Sequence, residues 1–226
     1  IREAWINDMF FPEVPDETKW VETGSIYDNP YLTPEAILEF EKLLTEDEKE
    51  CRLRGLPFHL AGLIYKEFNK VRHVRNVPLT GWRDFLSPPS DWPIAFTIDP
   101  HPQTPHCVTF VAISPFNQRV YFRDIFEHCS IKELADQIHE VIDGKFLISA
   151  RMDPLGFIED PITQKTFASV LADEGIFVEK ATKDPLTGIL KAQSMLKADP
   201  TEIIFYPTAR RTLWEIARYS WKEGEN

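Results

Sequence analysis

Cysteine is scarce. The 226 residues hold three, Cys51, Cys107 and Cys129, an odd number with no CxxC pair. That leaves no basis for a disulfide framework or a cysteine zinc site, and a reducing compartment is the simplest setting. Long apolar runs are missing too. Nothing approaches the roughly 18 residues that span a bilayer, and no signal peptide opens the chain. Three catalytic signatures are also lacking. Without GxxxxGK[ST] there is no phosphate-cradling loop, and without GxSxG or HExxH the serine-hydrolase and zinc-peptidase readings have no motif. Positive charge is in deficit, with 25 Lys and Arg against 36 Asp and Glu, a net −11. A chain that holds nucleic acid by bulk electrostatics is usually basic, so any such contact here must be local.

What is present is an ordinary globular composition, 43% hydrophobic and 27% charged. The opening IREAWINDMFF reads as an interior segment, and the chain is expected to be part of a longer protein. Residues 1–75 read as helical. Thr33 and Pro34 make an N-cap with proline at the first helical position, and Ile37, Leu38, Phe40, Leu43 and Leu44 follow at helical spacing. Thr45 and Glu48 form a capping box for a second helix ending near Gly55. Seven prolines then crowd residues 76–105 (Pro78, Pro88, Pro89, Pro93, Pro100, Pro102 and Pro105), which favours extended connections. The expected division is 1–88, a small helical region with linker, and 89–226, a second domain.

That second domain alternates in an orderly way. WPIAFTID, CVTFVAIS and RVYFRDIFE read as a three-strand meander, the last two joined by the turn SPFNQ. Ser130 and Glu133 box the start of a helix through about Asp143, with Leu134, Ile138, Val141 and Ile142 on its apolar stripe. KFLISARMD is a fourth strand. Asp160–Pro161 opens an expected helix through Leu171, IFVEKA is a fifth strand, and ILKAQSMLK a helix. TEIIFYP is a short extended piece, and Thr208 is the expected cap of a last helix, RRTLWEIARYSWK. The fold class is α/β, a mixed sheet flanked by helices.

The chemistry lies at two strand ends. Asp99 closes FTID and Asp153 closes LISARMD, distant in sequence, with two strands and a helix between. In sheets with βα units, ligands gather beyond the strand ends. Two carboxylates meeting there repel unless a proton or cation separates them. Oxygen donors select hard cations such as Mg²⁺ or Mn²⁺, and a pair of such ions can drive phosphodiester hydrolysis. The plainer reading is that each aspartate starts an Asp-Pro turn, since Pro100 and Pro154 follow them. Asp160 reads as an N-cap. Asp124 and Glu127 lie on a strand, and His101 and His106 flank the first acid in a loop. Lys183, Lys191, Arg210 and Arg211 are candidates to line a nucleic-acid path, though surface charge explains them equally. Trp214, Tyr219 and Trp221 read as core.

TGSIYDNPYLTPEAILEFEKLL and RLRGLPFHLAGLIYKEF resemble the end of the packaging ATPase domain of phage terminase large subunits. AFTIDPHP, ISARMDPLG and GILKAQSMLKADPTEIIFYPTARRTLWEIARYSW resemble the nuclease domain that follows it. The motifs are short, but their order spans most of the chain. The resemblance implies a ribonuclease H-like nuclease that cuts concatemeric double-stranded DNA with two divalent ions, Mg²⁺ or Mn²⁺. Asp99 falls on the family's first-strand aspartate and Asp153 on its second acid. The family's third acid would lie past Asn226, and its P-loop before Ile1, so no ATPase activity is expected of this chain. Implied partners are duplex DNA, the portal protein and the small terminase subunit in the host cytoplasm, with no membrane. Two alternatives remain. One is a non-catalytic motor module binding DNA, portal or small subunit. The other is a ribonuclease H-like transposase or resolvase, which DNPYL and RLRG disfavour.

Overall fold

The computed structural model describes residues 18–20, 22, 24–44, 49, 52–55, 63–101, 103–161 and 163–221. By contact the chain forms two compact units, residues 1–66 with 218–226, and residues 67–217.

In the first unit, helix α1 runs Pro34–Lys42, and Thr33 accepts from the Ala36 N–H as its cap. This is the helix start expected from Thr33–Pro34. The Thr45–Glu48 capping box lies outside the described residues. Residues 52–54 are helical, and Gly55 follows at φ +66°, the left-handed conformation that ends a helix. A side chain at Gly55 would strike the Gly24 backbone, so glycine is required there on two counts. Tyr65 stacks on Tyr219 at 6.0 Å within this unit.

The second unit is a six-stranded mixed sheet. Its strands are β1 (Ile94–Asp99), β2 (His106–Ile113), β3 (Arg119–Glu127), β4 (Leu147–Met152), β5 (Glu179–Lys180) and β6 (Ile203–Phe205). The spatial order is β5-β4-β1-β2-β3-β6. The β1-β2-β3 meander is antiparallel, and β4 joins β1, β5 joins β4 and β6 joins β3 in parallel. The helices are α2 (Lys70–His73), α3 (Ile131–Ile142), α4 (Phe167–Asp173), α5 (Pro185–Lys197) and α6 (Arg210–Ile216). The α/β class and mixed sheet read from the sequence are thus the ones observed.

Strand alternation divides the faces. Ile94, Phe96 and Ile98 of β1, with Val108, Phe110, Val120 and Phe122, point to one side and are buried. Leu134, Ala135, Ile138 and Val141 of α3 and Leu171 of α4 cover that side. Trp82 and Trp92 complete the core, meeting edge to face at 5.8 Å, with Tyr206 at 4.8 Å from Trp82. The proline-rich stretch thus supplies core side chains, and the compact unit extends back through it to Glu67, beyond the division expected near residue 88.

Three local expectations differ from what is found. The helix expected from Asp160 begins at Phe167 instead, capped by Thr166. Asp160 closes its own turn, accepting from the Thr163 N–H and hydroxyl, and Gln164 at φ 56° breaks any helix between. IFVEKA forms a strand of two residues, Glu179 and Lys180, with the Ala181 N–H donating to the Met152 carbonyl beyond it. Thr208 does not cap α6; its hydroxyl donates to the Phe122 carbonyl, and the residue at the cap position is Ala209.

Candidate active site

β1 and β4 run parallel with Ile98 opposite Met152, and the Asp153 N–H donates to the Ile98 carbonyl at 3.0 Å. Asp153 therefore falls beside Asp99, each at the C-terminal end of its strand. Thr97, Asp99, Arg151 and Asp153 share the face opposite the α3–α4 core by alternation.

Two loops hold the acids in place. After β1, Pro100 is buried; after β4, a 3-10 turn runs Pro154–Phe157, and Asp153 Oδ1 accepts from the Leu155 N–H at 2.8 Å. The loops meet at Gly156. A Cβ there would strike the Met152 side chain and come within 3.0 Å of Pro100 Cγ. Glycine thus permits the approach that sets the two aspartates side by side.

The electrostatics are unresolved within the protein. Burial holds the Asp99 carboxyl above its ordinary range, the Asp153 charge pushes it the same way, and only His101 opposes them. Among the described residues no lysine or arginine bridges either acid. His101 is occupied with its own loop, its Nδ1 accepting from the Gln103 and Thr104 N–H groups. His106 accepts from the His101 N–H, and its ring meets Phe167 at 5.0 Å. Burial, first among its causes, lowers the His106 pKa, so this ring sits neutral at neutral pH.

The neighbouring flank differs. Asp124 of β3 accepts from the Thr212 N–H at 2.9 Å and from its hydroxyl at 2.7 Å. It supplies the cap that Ala209 lacks and ties α6 to the sheet. Cys107 lies opposite Asp99 on β2. Its thiol is pushed up to about 11, by burial and then by Asp124, Glu215 and Asp99, and stays protonated at neutral pH. Glu127, at the strand end, accepts from the Gln137 amide.

The four basic candidates scatter. Lys183 is exposed before α5, Lys191 on α5 and Arg210 at the start of α6. Arg211 is engaged already: it pairs with Glu215 at 2.6 Å and lies over Phe126 at 4.2 Å and Trp214 at 4.8 Å. Trp214 and Tyr219, expected in the core, are both exposed.

Asp99 and Asp153 offer oxygen donors to a hard cation and lack an internal countercharge, which is what a Mg²⁺ or Mn²⁺ ion would supply. No group of three or more His, Cys, Asp or Glu among the described residues is placed to hold a metal.

The mixed β-β-β-α-β sheet flanked by helices has the ribonuclease H-like α/β architecture expected from the sequence. Solved structures that share it include phage terminases. The large terminase of a thermophilic bacteriophage superposes with a TM-score of 0.54 at 18% identity, over 88% of this chain and 47% of that one. The same terminase in complex with ATP-gamma-S gives 0.55. The P22 large terminase nuclease domain gives 0.57 at 11% identity, over 72% of this chain and 81% of that domain. The chain spans about half the length of the thermophilic phage's terminase. At these identities the likeness is one of fold. No protein-family model matches the sequence, and no curated protein does.

Proposed function

We propose that this chain carries the nuclease of a phage terminase large subunit, a metal-dependent endonuclease that cuts concatemeric double-stranded DNA for packaging. The observation that carries the reading is the unneutralised Asp99–Asp153 pair at adjacent strand ends of a sheet shared with the P22 nuclease domain. In this reading Asp99 and Asp153 hold Mg²⁺ or Mn²⁺, two ions in the complete site. When bound, such ions acidify water and set positive charge against the phosphodiester oxygens. The chain's own part is placement. Leu155 fixes one Asp153 oxygen and leaves the other for a ligand, and the Gly156–Pro100 contact fixes the distance between the strand ends.

The packaging role, the portal and small-subunit partners and the host cytoplasm belong to the same reading. No described helix is long and apolar enough to cross a membrane. A second reading, a non-catalytic motor module that binds DNA or portal, is favoured by one observation: only two acids are assembled among the described residues.

Nicking of supercoiled plasmid in Mn²⁺, with Asp99→Asn alongside, separates the two readings. Cutting by the unsubstituted chain and none by the variant is the result expected. Cutting by both removes Asp99 from the chemistry. Silence from both, with DNA binding indifferent to EDTA, favours the second reading.

A further inference from the structure

The acid-bearing face is built in cross-strand rows. One row runs Asp153, Asp99, Cys107 and Phe126. The next, one pleat back toward the start of β1, runs Glu179, Arg151, Thr97, Thr109 and Asp124. Two residues along a strand advance roughly 6.6 Å. Arg151 and Thr97 therefore sit one short step behind the acids, on the same face and the same two strands. Thr109 and Asp124 are bound to Thr212, so the open part of this row is Glu179, Arg151 and Thr97.

Arg151 differs from the arginines around it. Arg211 is sandwiched between rings and ion-paired. Arg123 pairs with Glu140, and Arg119 with Glu202. Arg151 has only a loose contact, its Nε 4.0 Å from Glu179, with both side chains more than half exposed (52% and 78%). An exposed pair at that distance contributes little and exchanges readily. Its planar fork matches a phosphate, and a chain of net charge −11 must supply such cations locally.

We propose that Arg151, with Thr97 beside it, holds the duplex-DNA backbone phosphate adjacent to the one presented to Asp99 and Asp153. This rests on the nuclease reading. Arg151 acts on placement: it fixes the register of the strand against the acids. Glu179 restrains the guanidinium in the free protein and gives way to the phosphate.

The test is the salt dependence of binding to a short blunt duplex in Mg²⁺, measured on the Asp99→Asn chain so that cleavage does not intervene. Adding Arg151→Gln should flatten the slope of log K against log salt by about 0.9, one phosphate contact, and weaken binding several-fold. Arg151→Lys should keep the slope, and in the otherwise unsubstituted chain should lower cutting, because charge survives and the fork does not. Glu179→Gln should tighten binding. An unchanged slope in Arg151→Gln overturns the proposal, as does an equal loss of slope in Arg151→Lys, or no binding by the Asp99→Asn chain. If the unsubstituted chain cuts while the Arg151→Gln slope is unchanged, this inference fails and the nuclease reading stands. If the slope falls but nothing cuts, Arg151 remains a DNA contact and the nuclease reading fails.

Discussion

Over β3, the acid-bearing face of the sheet is finished. Asp124 accepts one hydrogen bond on each oxygen from Thr212, α6 packs against the strand, and Arg211 lies over two rings and is paired. Over β1 and β4, a short way along the same face, only one Asp153 oxygen is met among the described residues, by the Leu155 N–H. Asp99 is only partly exposed, its proton affinity is raised by burial and by Asp153, and Arg151 is held loosely. The two flanks hold the same residue type on the same sheet and treat it oppositely. An aspartate whose acceptor capacity is met inside the protein builds structure. One left raised beside a second carboxylate is stabilised by whatever neutralises it, a proton or a cation.

The largest effect that would test this contrast is on chemistry. Asp99→Asn or Asp153→Asn should lower plasmid nicking in Mn²⁺ by at least about a hundredfold, a typical loss when a group that stabilises developing charge is removed. The folded far-ultraviolet circular dichroism spectrum should be retained. Near-normal cutting by both variants would make the open flank as structural as the closed one.

Gly156→Ala comes next. The added methyl must displace Met152 or Pro100, at a cost of about 1–3 kcal/mol if the loops resist. Because those loops carry the acids, cutting should fall by more than the stability loss accounts for. Cutting that merely tracks the folded fraction would show that the acid spacing does not depend on this contact. Asp124→Ala should do the reverse. Losing the cap of α6 costs about 1–2 kcal/mol, or roughly 2–8 °C in Tm for a chain of this size. Cutting per folded molecule should change far less than in Asp99→Asn. A thermal melt beside a nicking assay reads both.

Most of this layout was legible beforehand, for identifiable reasons. Ile94, Phe96 and Ile98 alternate with Ala95, Thr97 and Asp99, so β1 declared both its strand and its faces. Ser130 with Glu133 announced α3 through a capping box that is fully made. Asp99 and Asp153 stood out as acids closing apolar strands. What was hidden depends on contacts distant in sequence. Ala209 gives no sign that its helix is capped from β3, and Thr208 looked the better cap. The proline-rich stretch reads as linker because proline excludes helix, yet Trp82 and Trp92 pack in the core without needing one. Arg151 looks like any strand arginine until the β4–β1 register sets it beside Thr97.

The smallest effect separates the two aspartates most cleanly, because its sign differs between them. The folded chain holds the Asp99 proton more tightly than the unfolded chain does, so stability falls as pH rises through the interval between the two pKa values. At neutral pH, without metal, ionised Asp99 is therefore a cost. Asp99→Asn should raise Tm by about 1–2 °C, the scale of a modest change at a partly exposed site. The gain should shrink as pH falls through that interval and be gone below the ordinary carboxylate range, where the side chain is protonated in both states. Mg²⁺ or Mn²⁺ should raise the Tm of the unsubstituted chain and leave that of Asp99→Asn nearly unmoved. A lower metal-free Tm for Asp99→Asn would place Asp99 with Asp124 as a stabilising acceptor, and the contrast between the flanks would be lost.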